Sequence, residues 1–512
     1  MSDNNNANPE RRAFASRTPV SENPEPLKYR RGFVTGHQVT GWRFVMRRIA
    51  SGVALHDARM LVDPLRSQSR AFGMGAVIVI TGVVGSFVLS LLRPSGIAGT
   101  DPVLADRSTA ALYVRVGDNL HPVLNLTSAR LIAGKAVNPT MVKSTQLDQF
   151  PRGNLIGIPG APERMVQSKS TDAAWAVCES AENRAVTVIA GPLDTSGDKA
   201  TDLPSDRAAV VSTDAGTWLL WDGKRSALNL DDVAVTSALG FAAHPAVRPV
   251  TTSLLNAIPE APALVVPAIP GAGAPTNYPL PVQAPIGSVL VSYSSDNNPV
   301  HYAVLADGVQ QISPVIASAL RNANSFGLEQ PPRLTADQIA HLPTSSAIDT
   351  SVFPSAAIRP LAANEDPVLC TRFTKTADTT SESWSLLAGS ILPVSSSVHT
   401  VQLISPVAIR VAVTPGIGYL VQPGGRGAYQ WISDTGVRYG IDTEAEGDKT
   451  LEALGLHKPA LPIPSSILDL FASGPSLSRT DALIAHDSLA PNDRPAIRIP
   501  TDNSSAQAQE SR

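Results

Sequence analysis

Three residues near the C-terminus of this 512-residue chain could in principle act as an acid–base group. Asp481, His486 and Asp487 place two carboxyl groups close to an imidazole, a combination that general acid–base catalysis uses. The segment Ser478-Arg-Thr-Asp481 also has the spacing of a capping box, in which a serine side chain caps the first turn of a helix. We therefore interpret the group as a helix start and predict no catalytic residue there.

Motifs for phosphate binding and for covalent catalysis are missing from the sequence. Gly134-Lys135 and Gly223-Lys224 are followed by alanine and arginine, so neither completes the P-loop pattern G-x-x-x-x-G-K-[ST]. Residues 424–427, Gly-Gly-Arg-Gly, are interpreted as a loop. No G-x-S-x-G elbow and no H-E-x-x-H zinc motif occurs. The sequence therefore predicts no catalytic residue, no metal site and no cofactor.

One apolar run divides the chain by charge. Residues 71–92 contain no charged side chain, whereas residues 1–70 contain twelve Lys and Arg against six Asp and Glu. The net charge is thus +6 before the run and −9 after it, within a total of −3 that argues against a nucleic-acid binder. As a helix the run is about 33 Å long, enough to cross a hydrocarbon layer of about 30 Å. A buried core helix or a cleaved signal peptide is the less favoured interpretation.

Basic residues near the ends of the run predict its orientation. Six arginines precede it from residue 43 onwards, whereas two follow it within twenty residues. The positive-inside rule then places the N-terminus in the cytoplasm and residues 93–512 in the periplasm of a single-pass inner-membrane protein. Gly82, Ser86 and Ser90 form a row of small residues that could pack against another helix.

The arm before the run contains a predicted basic amphipathic helix from Thr40 to Pro64. Its apolar residues recur at helical spacing, and its arginines lie largely off that stripe. We favour docking on a partner protein through Trp42, Arg43, Arg47 and Arg48; contact with an anionic membrane surface or folding as a small domain of its own remain alternatives. The apolar residues are Trp42, Val45, Met46, Ile49, Val53 and Met60.

The two cysteines, Cys178 and Cys370, both follow the apolar run. An even number of cysteines outside a reducing compartment favours one disulfide, with two buried free thiols as the alternative. Such a bond would close a loop of 192 residues, which the chain-entropy model values at roughly 5 kcal/mol. Two cysteines without a neighbouring Cys/His pair make a poor zinc site.

Collinear matches at similar offsets indicate an internal duplication. Residues 113–118 match residues 302–307 at an offset of 189, and Cys178 matches Cys370 at an offset of 192. Later matches lie 213 residues apart, so the halves differ by insertions. Within the halves, four stretches beginning near Tyr113, Trp218, Tyr302 and Trp431 have the pattern of a strand, a turn, a strand and an apolar helix, and Asp222-Gly223 supplies the hairpin turn of the second. The helices are predicted near residues 128–133, 236–241, 312–321 and 451–456.

These observations predict an α+β protein with one N-terminal transmembrane helix and four ββα-type repeats in two duplicated halves. The repeats cannot bury their own faces, so they should share a core. Residues 259–285 contain eight prolines, which favours an extended connector. The predicted parts are a cytoplasmic arm (1–70), the membrane helix (71–92), a first half (93–258), the connector (259–285), a second half (286–490) and a flexible tail (491–512).

Four segments resemble the EccB family of mycobacterial type VII (ESX) secretion systems. They are the stretch from Arg30 to Phe44, Ala105 to Gly117, Phe150 to Pro162 and Gly474 to Asp487. The resemblance covers residues 28–490 and spans both sides of the apolar run. Among the paralogues the chain is most similar to the third ESX system, which is linked to iron and zinc acquisition.

The resemblance implies a structural subunit of a membrane complex that exports small proteins. Its implied partners are EccC, EccD, EccE, the mycosin protease and further copies of itself, and its repeats are similar to cell-wall-binding modules, which implies peptidoglycan contact. The resemblance also implies that the four repeats surround a central core in quasi-twofold arrangement, and that Cys178 and Cys370 form a disulfide. The family is often labelled as ATPases, which would make ATP a ligand, although the sequence contains no Walker motif.

Overall fold

The computed structural model describes residues 35–56, 65–92, 98–241, 245–379, 381–404, 410–443 and 447–486. The chain divides into two compact units, residues 1–94 and residues 95–512. Strands and helices are numbered below in chain order. The mixture of helices and sheets confirms the predicted α+β class.

The first unit contains two helices, α1 (Gly36–Leu55) and α2 (Leu65–Leu92). Among the described residues, only α2 contains a segment with the length and composition of a membrane span, Arg70–Leu89, with a mean hydropathy of 2.2. The predicted run of residues 71–92 lies within α2. It is helical because it combines apolar side chains with an absence of proline and charge.

The bounds of α1 differ from the prediction at both ends. The helix begins at Gly36 rather than Thr40, since Thr35 and Gln38 form a cap in which the Thr35 amide donates to the Gln38 side chain at 3.0 Å. It ends at Leu55 because His56 adopts a left-handed conformation with φ of 50°. The predicted terminator Pro64 lies outside the described residues.

The second unit is rich in short strands. The first half of the chain contributes β1 (Val103–Asp106), β2 (Leu112–Val116), β3 (Asn119–Pro122), β4 (Thr140–Val142), β5 (Ala173–Ser180), β6 (Val186–Ala190), β7 (Thr201–Asp202), β8 (Arg207–Thr213), β9 (Gly216–Trp221), β10 (Lys224–Leu228), β11 (Arg248–Pro249) and β12 (Glu260–Leu264). The later part contributes β13 (Val289–Tyr293), β14 (Pro299–Val304), β15 (Val309–Ile312), β16 (Arg359–Pro360), β17 (Val368–Lys375), β18 (Ser383–Gly389), β19 (Thr400–Gln402), β20 (Arg410–Val413), β21 (Tyr419–Pro423), β22 (Gln430–Ile432), β23 (Val437–Gly440), β24 (Leu461–Ile463) and β25 (Ala472–Ser473).

The helices of this unit are short and follow the strands. They are α3 (Leu126–Ala133), α4 (Ser144–Leu147), α5 (Val233–Ala238), α6 (Thr252–Ala257), α7 (Pro314–Ala323), α8 (Ala336–Ala340), α9 (Lys449–Leu454), α10 (Ser465–Leu468) and α11 (Arg479–Ala482), with a 3₁₀ turn at Thr350–Val352. Predicted helices near residues 128–133, 236–241, 312–321 and 451–456 correspond to α3, α5, α7 and α9, with bounds shifted by up to three residues.

A seven-stranded sheet forms the centre, in the order β19-β20-β6-β5-β17-β18-β7. Its middle pair, β5 and β17, is antiparallel, with Cys178 directly opposite Cys370. Strand pairs from the two halves of the chain alternate in this sheet: β19 and β20, then β6 and β5, then β17 and β18, with β7 at the edge. Side chains on its two faces belong to two separate buried clusters, so the sheet is covered on both sides.

Four further sheets each contain a consecutive antiparallel trio followed by a helix. The trios are β1-β2-β3, β8-β9-β10, β13-β14-β15 and β21-β22-β23, and the helices that follow them are α3, α5, α7 and α9. Further strands extend three of these sheets. Strand β4 joins the β1-β2-β3 sheet, strands β11, β12 and β16 join the β8-β9-β10 sheet, and strands β24 and β25 join the β21-β22-β23 sheet. Helix α5 packs against α7, and α3 packs against α9 and α11, so each outer sheet shares a core with another.

Turn chemistry explains the hairpin between β9 and β10. Asp222 and Gly223 link Trp221 to its partner Lys224, with φ of 44° and 72°. Positive φ at both central residues defines a type I′ turn, which matches the twist of the flanking strands. The predicted Asp-Gly hairpin is therefore present. Gly223 is also required by packing, because a Cβ there would lie 2.3 Å from the Trp384 carbonyl oxygen.

The proline-rich segment of residues 259–285 is ordered and packed. Its first part forms β12, which pairs in parallel with β10. Further on, Tyr278, Leu280 and Val282 pack against the buried cluster beside β13 and β14. The segment is non-helical, as its composition predicts. It adds a strand to one sheet and packs against another, so it does more than join the halves.

Candidate functional site: the exposed helix and the central sheet

Helix α1 presents an exposed apolar stripe. At about 100° per residue, Val45, Met46, Ile49 and Val53 all lie within about 60° of Trp42 around the helix axis. No residue of α1 is buried, and Trp42 is 65% exposed. A free apolar stripe of this kind is typical of a helix that binds a partner or lies on a membrane surface.

The arginines of α1 flank this stripe. Arg43 and Arg47 lie about 100° and 140° from Trp42, and Arg48 lies about 120° away on the other side. Among the described residues, none of the three is within ion-pair distance of a carboxylate. The structure therefore places all four predicted docking residues on one exposed helix, with the cations available to an acidic partner or to anionic headgroups.

The two cysteines are joined at the middle of the central sheet. Cys178 and Cys370 form a disulfide with an S–S distance of 2.05 Å, and both side chains are fully buried. The bond links the two halves of the chain across 192 residues. Because it cross-links neighbouring strands in register, it fixes the pairing on which the other strands of the sheet depend.

A buried arginine that sequence reasoning missed connects an outer sheet to the central sheet. Arg248, 8% exposed, donates to the backbone oxygens of Glu179, Asp366 and Pro367 at 3.1, 2.9 and 2.6 Å. Burial lowers the pKa of Arg248, while the nearby carboxyl groups of Glu179 and Asp366 act in the opposite direction. No sequence pattern distinguishes this arginine, since its three acceptors are main-chain groups from distant segments.

The carboxylate of Glu179 completes the same polar cluster. Its Oε2 accepts from the Thr251 amide at 2.9 Å and from the Thr251 hydroxyl at 2.7 Å. Arg207 reinforces the junction through an ion pair with Asp366 at 3.1 Å. These contacts tie strands β5, β8, β11 and the start of β17 together, so the cluster acts as a structural junction rather than a catalytic group.

The residues that could have formed an acid–base group have structural roles. Ser478 caps α11 by accepting from the Asp481 amide at 2.9 Å. The amide of His486 donates to the Leu155 carbonyl at 2.8 Å, and its ring bonds to the Gly157 carbonyl. Asp487 lies outside the described residues. The Gly424–Gly427 segment is a turn after β21, as expected.

Among the described residues, no group of three or more His, Cys, Asp or Glu side chains is arranged to hold a metal ion. Asp194, a partly exposed carboxyl group, lies in the loop after β6. Its hydrogen bonds to Lys199 and to Ser196 lower its pKa to about 2. The described part of the chain thus presents an exposed apolar stripe and buried structural junctions.

Comparison with known proteins agrees with this geometry. Residues 31–491 match the family model described as type VII secretion system ESX-1, transport TM domain B. The chain is 58% identical over 518 aligned residues to the ESX-3 secretion system ATPase EccB3 of Mycobacterium tuberculosis H37Rv, covering 95% of this chain and 96% of the relative. It is 56% identical to the EccB3 of Mycolicibacterium smegmatis, covering 94% and 96%.

Solved structures show the same likeness. A chain in the intact ESX-5 inner membrane complex superposes with a TM-score of 0.72 at 32% identity, covering 92% of this chain and 99% of that one. A chain of the EccB3 dimer from the ESX-3 core complex superposes with a TM-score of 0.69 at 50% identity, covering 75% and 100%. These matches define a component of ESX membrane complexes. The chain belongs to the EccB family, and its resemblance to the third ESX paralogue is confirmed.

Proposed function

We propose that this chain is a structural subunit of an ESX-3-type membrane complex that exports small proteins and supports iron and zinc acquisition. The observation that carries the proposal is the 58% identity with an ESX-3 EccB3 over nearly the whole chain. Replacing the M. smegmatis relative with this chain tests it. Export and growth on limiting iron or zinc should be restored, and failure of both with a stably expressed chain would contradict the proposal.

Helix α2 is proposed as the single membrane anchor, with α1 in the cytoplasm and the second unit in the periplasm. The excess of arginine before α2 supports this orientation. Because both native cysteines are buried in a disulfide, a newly introduced cysteine can be labelled selectively. In spheroplasts, an impermeant maleimide should label D378C and not H37C; the reverse pattern would refute the topology.

The stripe around Trp42 is proposed to dock on the cytoplasmic partners, EccC and EccD, within a complex that also contains EccE. Exposed apolar side chains with flanking arginines support this role. Trp42→Ala combined with Ile49→Ala should reduce co-purification of the partners at least tenfold. Phe44→Ala is the matched control, because Phe44 is an exposed aromatic about 160° away around the same helix. Equal loss in both variants would argue against the stripe.

For the second unit we propose four repeats in quasi-twofold arrangement that bind further copies of this chain, the mycosin protease and peptidoglycan. The two cysteines that match in the duplication lie directly opposite each other in the antiparallel pair β5 and β17, as a twofold axis at the disulfide requires. Native mass spectrometry of the detergent-extracted chain tests self-association. Co-sedimentation with purified peptidoglycan and with mycosin tests the other two contacts, and a monomer that binds neither would oppose this part.

ATP hydrolysis is a second candidate, favoured only by the word ATPase in the names of the relatives. The structural role is favoured over it, since neither Gly-Lys pair forms a P-loop. Both pairs lie in the second unit, at a helix end and in a hairpin turn. ATPase activity that co-elutes with the full chain through successive columns at constant specific activity would overturn this.

A further inference from the structure

His301 lies between two cavities beneath helix α7. It stands on β14, opposite Val291 and Ile312 in the neighbouring strands. Ala303, on the same face of β14, is buried in the core that α7 covers. One cavity, of about 240 Å³, is lined by Ala317, Ser318, Arg321, Asn322 and Pro331, and the other, of about 420 Å³, lies towards the start of α7; His301 lines both.

The imidazole of His301 has an unused hydrogen-bonding atom. Its Nδ1 is buried and has no partner among the described residues. Because Nδ1 itself is buried, a ligand in the cavity would meet the ring through its accessible edge. Burial and the adjacent Arg321 both lower the pKa of His301. The ring is therefore neutral at pH 7 and can donate one N–H.

Arg321 supplies a cation that no carboxylate neutralises. Its guanidinium donates through Nη2 to the Glu329 carbonyl at 2.9 Å, which fixes its orientation. Within the described part of the chain, no carboxylate oxygen lies within 4 Å of it. The negative end of the α7 dipole opposes an anion here, but it amounts to about half a charge against the full charge of the guanidinium.

We propose that the smaller cavity beside His301 binds a phosphate group, either free or as an ester. Four side chains that line it carry donors: the imidazole, the guanidinium, the Ser318 hydroxyl and the Asn322 amide, one N–H of which already donates to the Ala234 carbonyl at 3.2 Å. Several donors at one cavity suit an oxyanion with several acceptor oxygens. A volume of about 240 Å³ equals about eight waters at about 30 Å³ each, so the group fits with part of its hydration shell.

The larger cavity gives a way to tell free phosphate from a phosphate ester by comparing their binding. It is lined by apolar and hydroxyl side chains, including Ile312, Phe353, Ser313 and Thr350. Such walls could hold a small hydroxylated organic group attached to the phosphate. Tighter binding of glucose 1-phosphate than of inorganic phosphate would identify an ester as the ligand, and equal binding would identify the free ion. Both results support a phosphate site.

Equilibrium dialysis of the full-length chain in detergent against ³²P-labelled inorganic phosphate and ³²P-labelled glucose 1-phosphate tests the proposal. Saturable binding of one ligand per chain is expected, with Kd raised at least tenfold in Arg321→Gln and in His301→Gln. Arg426→Gln and His399→Gln are the matched controls, because both residues are exposed and distant in sequence from this sheet. They should leave Kd unchanged.

Two results would overturn the proposal: no saturable binding of either ligand to the unmodified chain, or binding that survives both site variants. Arg321→Lys keeps the positive charge and removes the planar fork, so it should retain weak binding. It provides a second variant if Arg321→Gln fails to fold. The thermal midpoint of every variant, measured in the same detergent, separates loss of the site from loss of the fold.

Discussion

Replacing Arg248 by methionine should destabilise the second unit strongly while leaving its surface unchanged. The guanidinium donates to three backbone oxygens at the junction of β5, β11 and β17. Removing one member of a buried, hydrogen-bonded polar cluster typically costs about 3–5 kcal/mol. The Pro367 oxygen keeps a second donor, the Ala181 amide at 2.8 Å, so the cost should not exceed that range.

The expected change in thermal midpoint follows from the size of the unit. A body of about 400 residues unfolds with an entropy of about 0.9 kcal/mol per kelvin, so a loss of about 4 kcal/mol lowers the midpoint by about 4–5 °C. Tryptophan fluorescence during heating of the full chain in detergent measures it. Arg359→Met is the matched control, because the side chain of Arg359 is 77% exposed and its ion pair with Asp206 is a surface contact. If both variants shift the midpoint equally, the junction does not stabilise the fold as described.

Three further predictions concern the same unit. Replacing Cys178 and Cys370 together by alanine should lower the free energy of unfolding by about 3–5 kcal/mol in urea titrations, and no change would refute a stabilising cross-link. Gly223→Ala should lower the thermal midpoint more than Gly425→Ala, since both glycines have φ near 70° but only the first would meet a backbone oxygen; equal losses would contradict the packing argument. The pKa of Asp194 is lowered, so its contribution to stability is present above its ordinary pKa of 3.8 and is lost as the pH falls towards about 2. Asp194→Asn should therefore lower the thermal midpoint slightly at pH 7 and weaken its dependence on pH between 3.8 and about 2; an unchanged midpoint at pH 7 and an unchanged pH dependence would contradict this.

Local features of the fold were predictable from the sequence. The uncharged run predicted a long apolar helix because its length and composition are decided by adjacent residues. The Asp222-Gly223 hairpin and the Asn125 cap of α3, whose side chain accepts from the Ser128 amide at 2.9 Å, follow from turn and cap chemistry within a few residues. The disulfide followed from an even cysteine count after the predicted span.

Non-local pairing was not predictable in the same way. The order of the central sheet places β20 beside β6 and β7 beside β18, partners that are separated by almost two hundred residues or more. Periodicity identifies strands but contains no information about which distant strand is the neighbour. The segment that forms β12 has a proline at its centre, and it pairs on one side only, at the edge of its sheet.

The candidate sites also differ in whether local sequence or distant contacts determine them. The docking residues on α1 were predictable because an amphipathic helix is a periodic pattern, although the left-handed His56 that ends the helix carries no strong sequence signal. Arg248 and His301 were not predictable, since the groups around each come from separate segments. Their roles follow only from burial and from unpaired or shared hydrogen-bonding atoms in three dimensions.

The alternation of strands from both halves in the central sheet has a consequence for how the protein is made. During synthesis, β5 and β6 emerge about 190 residues before β17, so their hydrogen-bonding edges stay unpaired and their apolar side chains stay exposed until β17 is made. A polypeptide in that state is prone to aggregate or to pair wrongly. The newborn chain should therefore depend on chaperones until its final third has left the ribosome, and truncation at residue 285 should yield insoluble material rather than half a protein.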